Sequence, residues 1–117
     1  MIQHQHWSES IRILITDEQN HGSVQVFIPN KAEGKPAGEL ADAAVHNLWV
    51  EKSHRRHGVA KRLLETAEKE AKFYGIKSIA IAWDKADSPF WVLRWYERLG
   101  YEEVEFSYQS SLLVKRF

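Results

Sequence analysis

The 117-residue chain has no cysteine, only three prolines and one methionine, and no surplus of either charge. Without cysteine it forms no disulfide, no thiolate-bound zinc site and no cysteine nucleophile, and a reducing compartment suits such a chain. Met1 to Trp7 lack the basic start and apolar run of a signal peptide. No apolar stretch reaches the ~20 residues that a transmembrane helix needs. A soluble cytoplasmic protein without a membrane partner is therefore expected. Sixteen basic and sixteen acidic side chains cancel, which argues against nucleic acid as a partner.

What is present suffices for a core. Hydrophobic residues make up 44% and aromatics 12%, so residues 1–117 are expected to form one folded domain. Ile11, Ile13 and Ile15 recur at every second position, as do Val24, Val26 and Ile28, and each run reads as a strand. Asn20-His21-Gly22 between them reads as a hairpin turn. The two prolines and two glycines from Pro29 to Gly38 read as a surface loop. Ala43 to Val50 reads as a third strand, with Ala44, His46, Leu48 and Val50 on one face. The two histidines His4 and His6 near the start are read as mobile, and no metal is expected.

The period then changes. Val59, Leu63, Ala67, Ala71 and Tyr74 recur at helical spacing, Glu65–Lys69 and Glu68–Lys72 are set to pair one turn apart, and Gly75 stands at the C-terminal cap. Ser78 to Trp83 is apolar on both faces, as in a strand covered on both sides. Ser88-Pro89 opens a second helix as N-cap and first-turn proline, which stops at Gly100. Strands over Tyr101–Phe106 and Ser111–Phe117 follow. The order predicts an α/β fold: a mixed, mostly antiparallel sheet with a central parallel pair formed by the strand–helix–strand unit, with helices packed on its faces.

One segment is unusual on physical grounds. Lys52, Arg55, Arg56, Lys61 and Arg62 lie close together with His54 and His57, and no acid intervenes. Lys61 and Arg62 fall in the first turn of the helix, where a cation opposes the dipole by roughly 0.3–1 kcal/mol. The pattern makes sense if an anion sits on the free N–H groups of that turn, with Gly58 allowing close approach. Neither a Walker loop nor a dinucleotide fingerprint is present.

Arg55-Arg56-His57-Gly58-Val59-Ala60 resembles the R-x-x-G-x-G/A signature of the GNAT superfamily of N-acetyltransferases. Trp95-Tyr96-Glu97-Arg98-Leu99-Gly100-Tyr101 is similar to that family's second landmark, and the resemblance spans about Ala43 to Phe106. It implies acetyl-coenzyme A as cofactor, with its pyrophosphate cradled by Arg55, Arg56, His57, Gly58, Val59, Ala60 and Lys61. It also implies that the pantetheine arm pairs with the strand edge at Leu48, Trp49 and Val50. Tyr96 falls where the family often places the acid that protonates the departing thiolate. His46 lies near the family's usual glutamate base; Glu39, Asp42 or a water relay are the other candidates.

The chain also departs from the pattern. No amphipathic helix is legible before the signature, where relatives carry two, and Pro89 replaces a frequent asparagine. The acceptor side is then either open, suiting an amine on a protein, or closed by a second copy of the chain, suiting a small-molecule amine. The apolar tail Ser111–Val114 is one edge that a homodimer would cover. Trp49, Trp83, Trp91 and Trp95 are read as core rather than as a cage for a cation. Besides an N-acetyltransferase, two alternatives stand: a coenzyme-A-binding module that no longer catalyses, and a polyanion binder using the Lys52–Arg62 cluster.

Overall fold

The computed structural model describes residues 1–29, 41–54 and 58–117. Strands β1 (Ile2–His6), β2 (Ser10–Thr16), β3 (Gly22–Pro29) and β4 (Ala43–Val50) lead to a short 3-10 turn at Lys52–His54 and then helix α1 (Val59–Phe73). Strand β5 (Ser78–Asp84), helix α2 (Phe90–Arg98), and strands β6 (Glu102–Phe106) and β7 (Ser110–Arg116) complete the chain. Among the described residues, the strands form one seven-stranded sheet in the order β1-β2-β3-β4-β5-β7-β6. Of these described strands, only β4 and β5 run parallel; the other neighbours are antiparallel.

Alternation along β2 and β3 sends Ile13, Ile15, Val24, Val26 and Ile28 into the core. Helix α1 lays Val59, Leu63, Leu64, Ala67 and Ala71 on that face, and α2 adds Leu93 and Tyr96. Ile79, Ile81, Trp83 and Leu113 complete the same cluster. Burial of each large aliphatic side chain contributes about 1.5–3 kcal/mol, so this one face carries most of the hydrophobic stabilisation. A smaller cluster of Ala41, Ala80 and Val114, with Leu112 against it, lies apart from the first. Among the described residues, no helix is long and apolar enough to cross a membrane.

The strand and helix expectations hold, with five corrections. First, Ile2–His6 is a strand, not a mobile terminus: His4 Nδ1 lies 2.6 Å from the Tyr74 hydroxyl. Second, β4 does not keep one alternation. Asn47 has φ of 55°, and three steps of β4, from His46 to Trp49, oppose two of β3, from Gln25 to Ser23. This one-residue bulge breaks the shared face: Val50 and Leu48 join the cluster under α1, whereas His46 is exposed and stands by Phe27.

Third, Glu68 does not pair with Lys72. It is buried, accepts a hydrogen bond from the Tyr101 hydroxyl at 2.8 Å, and meets Lys115 Nζ at 2.9 Å. Lys72 instead lies over the Phe117 ring. Fourth, Ser88 makes no side-chain cap: Pro89 is the N-cap of α2, and the Ser88 N–H donates to the Asp84 carbonyl. Fifth, β7 is not an edge. It is paired with β5 on one side and β6 on the other, so the apolar Ser111–Val114 run is satisfied within the chain.

Gly22 is required by packing. A Cβ there would stand 2.7 Å from the Trp49 carbonyl oxygen and 3.0 Å from Leu63 Cδ1. Its bareness lets β3 and the first turns of α1 close on the end of β4. Gly22→Ala should therefore destabilise the chain by about 1–3 kcal/mol through overpacking, read as a lowered urea midpoint with unchanged slope. Glu68→Ala strands a buried hydroxyl and a half-buried ammonium. A loss of about 2 kcal/mol is expected, and the Glu68→Ala/Tyr101→Phe double-mutant cycle should show coupling between the two sites.

Candidate functional site

The parallel pairing of β4 with β5 stops early. Its register runs Ala43↔Ile79, Ala44↔Ala80 and Val45↔Ile81, yet β4 continues to Val50 and β5 to Asp84. The Asn47 bulge follows directly, and the two strands part beyond it. The sheet thus opens at the C-terminal ends of its parallel strands, the place where open α/β sheets bind ligands. Past the last pair, the β4 wall of this opening is His46, Asn47, Leu48, Trp49 and Val50.

Helix α1 begins at the same end. Its N-cap is Gly58, with φ of 77°, no side chain caps it, and its first turn holds no acid. The leading N–H groups of a helix have no acceptor within it, so this turn presents donors and a positive dipole end. A Cβ at Gly58 would meet only the flexible Arg62 guanidinium, at 3.2 Å, but the left-handed backbone favours glycine. Val59 is buried and anchors the turn, Ala60 is half-buried, and Lys61 is exposed with Glu65 at 3.9 Å. Arg55, Arg56 and His57 lie outside the described residues, as does the alternative base Glu39.

The remaining expected residues separate. His46 is exposed at the first position past the parallel pairing. Burial of the ring, and then the charge of Arg12, hold its pKa below the ordinary 6.5. The Arg12 guanidinium in turn lies over the Phe27 ring. Tyr96 belongs to the cluster under α1, with its ring beside Trp95 and Tyr101. Burial pushes its phenol up to about 12. The two groups therefore lie on opposite faces of the sheet and do not touch.

Asp42 is excluded as a base by its position. Its backbone N–H donates to Ser78 Oγ at 3.0 Å and its carboxylate accepts from the Lys77 N–H at 3.2 Å. That ties the starts of β4 and β5 together, at the far end from the opening. Trp83 and Trp95 are core or core-packed, whereas Trp49 and Trp91 are more than half exposed, so the expectation of a wholly internal tryptophan set is corrected. The residue the sequence reading missed is Asn47; asparagine inside an apolar strand pattern is a signal, because it tolerates a left-handed backbone.

A profile of the Acetyltransferase (GNAT) domain matches residues 8–103. The chain belongs to the GNAT acetyltransferase family. No curated protein sequence matches it. Among solved structures, a protein of Agrobacterium tumefaciens assigned as an acetyltransferase is 26% identical, with TM-score 0.65, covering 92% of this chain and 74% of that one. A Bacillus anthracis protein described as a streptothricin acetyltransferase, in complex with acetyl-coenzyme A, is 17% identical with TM-score 0.70, covering 96% and 65%. The ribosomal-protein-S18-alanine N-acetyltransferase of Escherichia coli is 15% identical with TM-score 0.65, covering 95% and 71%. At these lower identities the likeness is one of fold. The family's cofactor is acetyl-coenzyme A, and the open strand end beside an uncapped, acid-free helix turn fits an extended anionic ligand of that kind.

The lowered His46 pKa is directly measurable. Its imidazole C–H resonances should titrate below 6.5 in the folded chain, and Arg12→Gln should move the midpoint upward. Because the folded state disfavours the charged imidazole, His46 costs stability only as pH falls through its unfolded pKa, and not above it.

Proposed function

We propose that this family member is an N-acetyltransferase, moving an acetyl group from acetyl-coenzyme A directly to a primary amine of a small molecule or a protein. The observation that supports this most is the coincidence of the β4–β5 opening with the N-terminus of α1. A backbone edge and a helix dipole there meet the two chemically different halves of one long cofactor. The first turn of α1, from Gly58 to Lys61 together with Arg55, Arg56 and His57, holds the pyrophosphate through N–H groups and cations. The β4 backbone at Leu48, Trp49 and Val50 pairs with the amide-bearing arm, as it would with a peptide strand.

When bound, the cofactor supplies a thioester whose carbonyl carbon accepts the amine. The chain's own tasks are to orient both reactants and to manage two protons. His46, at the mouth of the opening, takes a proton from the acceptor ammonium; its lowered pKa favours the unprotonated imidazole that this role needs, at the cost of weaker basicity. Tyr96, fully protonated with a phenol pKa of about 12, gives its proton to the leaving sulfur from the opposite face. With the Asp42 carboxylate engaged at the start of β4, His46 is the base favoured over Glu39 or a water relay.

The burial of Tyr96, 7% exposed, favours a second reading in which the chain binds coenzyme A without catalysis. The test separates the two. Calorimetric titration with acetyl-coenzyme A should show saturable binding, weakened at least ~10-fold in Gly58→Glu and in Lys61→Glu, as cations and donors are lost at the anion. With an amine acceptor found by screening, Tyr96→Phe should lower kcat by about 10²–10⁴ with cofactor affinity retained. Binding without turnover for any amine leaves the module reading; no binding by the folded chain removes both.

A further inference from the structure

We infer that His21, Glu51 and His54 form a binding site for a divalent transition-metal ion, with ligands other than the residues assigned to the cofactor or to the proposed reaction. Each residue offers one ligand atom, and these atoms all lie within 4.8 Å of one another. The three are brought together by tertiary structure, since His21 sits in the β2–β3 turn whereas Glu51 and His54 follow β4. The Glu51 N–H donates to the His21 carbonyl at 2.7 Å, which locks the two loops in register.

The donor chemistry fits such an ion. Two imidazoles and one carboxylate are a recurrent ligand set for zinc, with bonds near ~2.0–2.2 Å and a fourth position left for water. A tetrahedral ion needs its ligand atoms about 3.4 Å apart and lies in the plane of each ligating ring, so binding requires one imidazole to turn out of the present stack. The two rings now stack, with centroids 3.4 Å apart and planes 15° from parallel, which holds both imidazoles at the site. Neutral imidazole is the form that ligates metals.

The surroundings supply what supports a metal-bound histidine. Asp17 Oδ2 stands 3.8 Å from His21 Nδ1, and Ser53 Oγ is 2.9 Å from His54 Nδ1. The hydroxyl, at hydrogen-bond distance, is the kind of partner that fixes ring orientation and tautomer, and the carboxylate stands near enough to approach His21. His21 and His54 also line an open cavity of about 570 Å3 together with Val59, Arg62 and Thr66. Its lining includes no residue of β4, β5 or α2, so the cavity lies away from the strand opening while sharing Val59 with the first turn of α1, and it gives an ion a path in. A bound ion would cross-link the β2–β3 turn to the segment that leads into α1.

The test uses the full chain without an affinity tag, with Co2+ as the spectroscopic probe and Zn2+ as competitor. One equivalent of Co2+ should give visible d–d absorption that Zn2+ abolishes. Affinity should fall at least ~10-fold in His21→Gln and in His54→Gln, and remain in the His4→Gln/His6→Gln control. In the unmodified protein, Zn2+ should shift the imidazole resonances of His21 and His54 and leave His46 unmoved, a readout that needs no variant to fold. Absence of binding, or binding unchanged in the His21 and His54 variants, would overturn the assignment. Neither result bears on acetyl-coenzyme A affinity, which is measured separately.

Discussion

The whole arrangement depends on where β4 and β5 stop pairing. Three register pairs hold the parallel strands together, and one extra residue at Asn47 turns β4 away immediately afterwards. A β-bulge leaves a residue without a ladder partner and increases local twist. Here it also switches the alternation of the strand. Leu48 and Val50 pack toward α1, while His46 is released on the other side. A single backbone irregularity thus makes the opening, anchors its wall to the core and exposes the candidate base.

The rest of the fold holds that opening rigid. Asp42 and Ser78 bind the starts of β4 and β5, so the strands diverge from a fixed hinge. Gly22 allows β3, the end of β4 and Leu63 of α1 to pack with no side chain between them. Buried Glu68 joins α1 to Tyr101 and Lys115 on the far side of the sheet order. Removing one partner of such a group leaves a buried polar atom unsatisfied, which costs more than the bond itself contributes. The helix whose first turn is proposed to hold the cofactor is therefore pinned near its start and beyond its middle.

Electrostatics separates the two groups assigned to proton transfer. His46 stands where burial is partial and Arg12 is near, which favours neutral imidazole. Tyr96 is enclosed by Trp95 and Tyr101, which favours the neutral phenol. Both environments disfavour charge, so each group rests in the protonation state its proposed task requires. The same enclosure packs Tyr96 into the core beneath α1.

The sequence by itself determined the elements after β1 and the acid-free first turn of α1. Alternation in Ile11–Ile15 and Val24–Ile28, the helical recurrence from Val59 to Ala71, and glycines at 58, 75 and 100 are local signals. They act through backbone geometry and a nearby face, so they can be read without knowing the neighbours. The acid-free start of α1 was legible for the same reason. Tertiary structure alone decided which strand became interior, as β7 lies between β5 and β6, and which faces β4 presents, as a bulge depends on the register of the partner strand. It also decided that Glu68 serves Tyr101 and Lys115 rather than Lys72, and that His21 stacks on His54. Each of these joins residues distant in sequence, and local periodicity does not encode the pairing of surfaces that meet only when the sheet closes.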